Sequence, residues 1–229
     1  MTERPILFSA PMLRAIRDDS KTRTRRMVKT QLPFCQPHPG GGWIFTDAKL
    51  ASEDVARYAI GAHGMLCPYG QPGDRLWVRE TWAPVDYLVG SKLEDPVCVA
   101  FAADQTAWSY AGTPANKPRR LDTYGWPWDR VKWKPSIHMP RWASRITLEV
   151  TGVRAERLQD ISEEDAYAEG VLACDGLIDE ADIARASKLC GVAIDDARAL
   201  FFALFATIYG WELLSLNPWV WVVEFRRLP

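Results

Sequence analysis

The chain has 229 residues, of which 48% are hydrophobic and 25% charged, and a formal net charge of −1. This is the composition of a globular protein long enough for one domain with a substantial core, or one domain carrying a large insertion, and it excludes a disordered or fibrous chain. No stretch approaches 18 apolar residues, so no membrane partner is expected, and MTERPILFSAPM lacks the long apolar run of a signal peptide.

The near-zero charge hides a gradient. Residues 151–229 carry 7 Lys+Arg against 14 Asp+Glu; residues 1–150 carry a net +6. The first two-thirds can attract a polyanion, but such a balance does not grip long duplexes by charge alone. The cysteines (Cys35, Cys67, Cys98, Cys174, Cys190) are odd in number and irregularly spaced. Without an export signal they read as reduced thiols of a cytoplasmic protein. Eleven tryptophans predict a Trp-rich core, an aromatic-walled pocket, or both.

In chain order, ILFSA (6–10) reads as a short strand. PMLRAIRDDS follows with Met12, Leu13 and Ile16 at helical spacing, and Pro11 suits a first helical turn. KTRTRRMV reads as a strand with Thr22, Thr24 and Arg26 on one side and Arg23 and Arg25 on the other. Residues 31–75 are loop-rich, with a turn cluster at PHPGGG and a short helix within SEDVARYAIGA (52–62). QPGDRLWVRETWA (71–83) is a turn and a strand, with Leu76, Val78 and Glu80 on one face and Arg75, Trp77, Arg79 and Thr81 on the other. VCVAFAA (97–103) is another strand; residues 104–135, rich in Pro, Gly and Trp, read as a long surface excursion.

RITLEVTGVRAERL (145–158) alternates as a half-buried strand, with Ile146, Leu148 and Val150 opposing Arg145, Thr147 and Glu149. SEEDAYAEG opens with Ser162 as an N-cap and stops at Gly170. Two helices are predicted at about 180–190 and 194–209, and PWVWVVEFRRLP closes the chain as a central strand. Many short strands with late helices predict an α+β fold, a barrel-like mixed sheet with an α-helical insertion before the last strand.

Five constellations can carry chemistry. Lys21, Thr24 and Arg26 place a hydroxyl among cations; the bland alternative is an exposed basic strand. Glu169 sits at a helix C-terminus, where a carboxylate is disfavoured; the alternative is a solvated glutamate. In WVRETW (77–82), Trp77 and Arg79 can stack a base beside Glu80, or the tryptophans are core and Arg79 and Glu80 structural ion-pair members. Ser136, His138 and Arg141 in KPSIHMPRW can line a pocket, or His138 is structural. Cys35-x-x-His38 and His63-x-x-x-Cys67 have tolerable zinc spacing but no finger pattern between them. P-loop, dinucleotide-binding, zinc-peptidase and nucleophile-elbow signatures are absent from the sequence.

The run from PMLRAIRDDS into KTRTRR resembles the signature of the ASCH domain, whose fold is related to the PUA RNA-binding domain. PGDRLWVRETW, RITLEVTGVRAERLQDISEEDAYAEG and the closing WVWVVEF resemble its later strands and helix in the same order, most like the larger phage and bacterial members. The resemblance covers about residues 5–30, 67–83, 133–172 and 216–227. It implies a PUA-like mixed β-barrel over 1–229, with excursions at about 31–70 and 104–135 and a helical insertion at about 173–215. It also implies an N4-acetylcytidine amidohydrolase activity using Lys21, Thr24 and Glu169 as catalytic residues. Arg26, Trp77, Arg79, Glu80, Ser136 and His138 are then substrate-binding candidates, and neither cofactor nor metal is required. The expected partner is a modified nucleoside or nucleic acid; the alternatives are a non-catalytic RNA, DNA or modified-base binding module and a nuclease. One departure stands out: where the family has a glycine two residues before the lysine, this chain has Asp19. Aspartate tolerates that left-handed exit better than most residues, though less well than glycine, so the turn can survive; Asp18 and Asp19 are expected to raise the Lys21 pKa.

Overall fold

The alternation of residues 145–158 and the unbroken apolar run near the C-terminus dictate the centre of the molecule. A computed structural model describes residues 1–29, 31, 34–38, 40–46, 66–85, 98–109 and 119–229. The long strand β10 (Thr147–Arg157) pairs antiparallel with β11 (Trp219–Arg227), with a bulge between Val150 and Gly152. Around them a five-stranded sheet has the order β1 (Glu3–Leu7), β5 (Arg75–Arg79), β10, β11, β2 (Arg23–Met27). β1 runs parallel to β5, and the other pairs are antiparallel.

The closing strand is central, as its composition predicts, because both of its faces are covered. Trp221, Val223 and Phe225 join Ile6, Leu13, Ile16, Leu76 and Leu148 in one core. Val220 and Val222 face the other way, into a second core with Leu158, Ile161, Val171 and Phe202. That second core is built by the late helices: α2 (Glu163–Ala168), α3 (Glu180–Cys190), α4 (Ala197–Tyr209) and α5 (Trp211–Ser215). Ser162 caps α2 by accepting from the Asp165 amide, as expected. α4 begins at Ala197 rather than 194, because Asp196 caps it by accepting from the Arg198 amide.

Two expectations are corrected. First, ILFSA is not the strand: β1 ends at Leu7, and Ser9 already serves as the N-cap of α1 (Ala10–Arg17). Second, residues 104–135 are more than a surface excursion. β6 (Trp82–Pro84), β7 (Cys98–Phe101), β8 (Thr106–Ser109) and β9 (Arg119–Arg120) form a four-stranded sheet. Trp126, Trp128 and Trp133 pack against its small core of Ala83, Val85, Cys98, Ala100, Ala107 and Val131. Three indoles represent too much apolar area to leave in water. Within 31–75, β3 (Phe34–Pro37) and β4 (Trp43–Thr46) form a hairpin that sets Trp43 and Phe45 edge-on against Trp221. The helix expected at 52–62 lies outside the described residues.

The fold is mixed α+β, but among the described residues no sheet closes into a barrel. β1 and β2 are the two edges of the five-stranded sheet and share no ladder. A side chain bridges them instead: Arg26 of β2 donates to the Leu7 carbonyl at the end of β1. The seam between these edges is where the candidate site opens. No described helix is long and apolar enough to cross a membrane.

Candidate functional site

The site begins at the exit of α1. Asp19 adopts φ 57°, the left-handed conformation that the missing glycine would otherwise supply. The amides of Ser20 and Lys21 both donate to the Ala15 carbonyl, which turns the chain and delivers Lys21 inward. There Lys21 meets the end of α2. Lys21 and Glu169 form an isolated antiparallel bridge, and the Thr22 amide donates to the Ala168 carbonyl. Gly170 makes this approach sterically feasible. It sits at φ 73°, and a Cβ there would lie 2.9 Å from the Cβ atoms of both Ala15 and Lys21.

Lys21, Thr24 and Glu169 are thus brought together and buried, at 3%, 4% and 5% exposure. The Lys21 ammonium donates to Glu169 Oε2 at 2.8 Å and to the Glu169 carbonyl at 2.6 Å. Burial pushes the Lys21 pKa below its ordinary value, against the pull of the Glu169 carboxylate. This reverses the rise expected from Asp18 and Asp19: both point into solvent, and Asp19 pairs with Arg227 instead.

Glu169 has a second cation. Arg25 Nη1 reaches its Oε1 at 3.1 Å, while the rest of the same guanidinium holds Glu156 at 2.6 Å and also Asp165. The strand alternation assigned Arg25 to the face opposite Thr24, away from the site. β2 is an edge strand, however, so side chains from both of its faces border the same opening. Asp165 lies one helical turn before Glu169, and that i, i+4 acidic spacing is the sequence signal for a shared cationic partner.

Lys21, Thr24, Arg25, Arg26 and Glu169 form the polar floor of a cavity of about 130 Å³. One wall is the end of β1 and the start of α1, with Leu7, Phe8, Ser9 and Met12. The Arg26 guanidinium lies 5.2 Å from the Phe8 ring centroid, and its buried Nε has no partner among the described residues. The opposite wall is α4, which contributes Phe201, Leu204, Phe205 and Ile208, the i, i+3, i+4, i+7 stripe of one helical face, together with Tyr209. The helical insertion therefore builds half of the pocket.

The remaining candidates lie elsewhere. Trp77 is 8% exposed on β5, and the Arg79 guanidinium stacks on it at 4.6 Å. Glu80 is fully buried and held by Arg145 at 2.7 Å, the structural ion-pair alternative. Ser136 and exposed His138 belong to a single 3₁₀ turn. None of these five lines the cavity. Arg141 pairs with Glu3 on the surface. Of the zinc candidates, His63 lies outside the described residues, and His38 Nδ1 accepts from the Gly40 amide. Burial pushes the Cys35 thiol up to about 12 and the Cys67 thiol up to about 11. Among the described residues no cluster of His, Cys, Asp or Glu is arranged to hold a metal ion.

A hydroxyl, an ammonium held off its ordinary titration range and a carboxylate in one small cavity can perform nucleophilic acyl transfer with proton exchange. In comparisons with family models, curated proteins and solved structures, none matches this chain.

Proposed function

We propose that this chain is an amidohydrolase acting on an N4-acylated cytosine, as the ASCH resemblance implies, with Thr24 as nucleophile. The reading is carried by one observation: Lys21 and Glu169, 148 residues apart in sequence, meet in one small cavity that Thr24 also lines. Thr24 Oγ attacks the acyl carbon as its proton passes to the Glu169 carboxylate. The Lys21 ammonium stabilises the oxyanion of the tetrahedral intermediate. The C–N4 bond breaks as Glu169 returns the proton to the leaving amine, releasing the cytosine base. Water then cleaves the acyl–threonine ester, the carboxylic acid departs and Thr24 regains its proton. Arg26, whose guanidinium lines the cavity over Phe8, is the group suited to hold an oxygen of the base.

Incubation with N4-acetylcytidine, followed by quantification of free cytidine, tests this reading. Turnover that disappears in Thr24→Ala and Glu169→Ala supports it; no turnover in the folded wild-type protein refutes it. The non-catalytic alternative draws support from the mutual satisfaction of Lys21 and Glu169 and from the net +6 of residues 1–150. It requires salt-dependent binding of RNA or a modified nucleoside without product. Strand cleavage would mark a nuclease.

A further inference from the structure

The two walls of the cavity are chemically unlike, and that difference selects a substrate. On the β1 side, Phe8 offers ring surface beneath the Arg26 guanidinium and Ser9 a hydroxyl. A pyrimidine needs these: stacking on one face and a donor toward its carbonyl oxygen. On the α4 side the guanidinium among the described lining residues is that of Arg25, already committed to Glu156, Asp165 and Glu169. The rest of that wall is Phe201, Leu204, Phe205, Ile208 and the Tyr209 ring.

Amide hydrolysis at Thr24 divides the substrate in two, so the base on the Phe8 side places the acyl group against α4. An acetyl methyl would leave most of that stripe uncovered. Ile208 is 64% exposed and Leu7 38% exposed at the mouth, and no described residue covers them. At about 130 Å³ the cavity has room for about one six-membered ring, so with the base seated on the Phe8 side a larger acyl group extends through the open Ile208 end along the α4 stripe.

We infer that α4 makes the pocket selective for cytosine amides carrying a bulky apolar acyl group, aryl or medium-chain aliphatic, over acetyl; this rests on the amide-hydrolysis reading above. Selectivity comes from apolar area removed from water at the Leu204 and Ile208 stripe, worth about fourfold per fully buried methylene. The helical insertion is then the specificity element, and the Lys21–Thr24–Glu169 floor is the chemical one.

The test compares kcat/KM for N4-acetyl-, N4-hexanoyl- and N4-benzoylcytidine in wild type, Leu204→Ala and Ile208→Ala. Ile208 is largely exposed, so its variant keeps the fold even where Leu204→Ala does not. Wild type is expected to favour the hexanoyl and benzoyl substrates by about tenfold or more, and each truncation to lower that ratio by about threefold to tenfold. Acetyl turned over as well as the larger amides, or ratios unmoved by both truncations, overturns the inference and leaves the hydrolase reading intact. No hydrolysis of any of the three amides refutes the hydrolase reading itself, and the selectivity inference with it.

Discussion

The ammonium of Lys21 contacts both the carboxylate and the backbone carbonyl of Glu169, at 2.8 and 2.6 Å. One residue thereby satisfies two of its three donors. Removing one partner leaves a buried charge short of its counter-ion, which costs about 3–5 kcal/mol. Lys21→Met and Glu169→Gln are each expected to lower unfolding stability by that order. Glu169 keeps Arg25 when Lys21 is lost, so Lys21→Met is expected to be the milder change. The double variant is expected to lose less than the two singles together, and denaturant unfolding of the four proteins checks this.

Gly170 decides whether these two residues can meet at all. A methyl group there would have to share space with two Cβ atoms at 2.9 Å while holding a left-handed backbone. Gly170→Ala is expected to cost about 2 kcal/mol or more, from the left-handed conformation and the displaced bridge together. Thermal unfolding measures the loss; a stability equal to wild type would contradict the described approach of α1 and α2.

Thr24 is buried in a strand of the sheet, and Ala fits its place, so Thr24→Ala separates chemistry from folding. Under the proposed mechanism it removes the nucleophile and lowers kcat by about 100-fold or more with little change in unfolding. Thr24→Ser keeps the hydroxyl and is expected to retain measurable turnover. Equal activity in Thr24→Ala would exclude the covalent route.

Burial places the Lys21 pKa below its ordinary 10.5. The proposed oxyanion contact needs the ammonium, so kcat/KM is expected to fall on the alkaline side at a pH lower than 10.5, as a pH–rate profile would show. Stability moves the other way. Between the lowered folded pKa and 10.5 the unfolded chain holds a proton that the folded chain has lost, so the Lys21 contribution to unfolding free energy rises with pH across that window.

The apolar wall of the cavity is held by one cap. The Asp196 carboxylate accepts from the Arg198 amide, and the Arg198 side chain holds the Asp196 pKa below its ordinary 3.8. Asp196→Ala is expected to cost about 1 kcal/mol. A folded-state pKa below the unfolded value means that this stabilisation is present above pH 3.8 and is lost as pH falls through the folded value. Acid unfolding of wild type and Asp196→Ala should therefore converge at low pH.

What the sequence determined by itself was local. The alternation of Ile146, Leu148 and Val150, the Ser162 cap, the Gly170 stop, the two late helices and the doubly apolar last strand all follow from short-range periodicity and capping chemistry, and all are present. The lysine, threonine and glutamate were picked out on the same local terms and joined only by resemblance. Tertiary structure alone decided the rest. Which face of an edge strand borders a cavity depends on what packs beside it, so Arg25 entered the site against its alternation. Whether Glu80 is free to bind depends on a partner far along the chain, Arg145, that no window of sequence around it contains. Among the described residues the five-stranded sheet is open: its edges β1 and β2 share no ladder and are linked by the Arg26 side chain. The site lies at that seam because long-range contacts, and no local preference, bring α1, α2 and α4 to it.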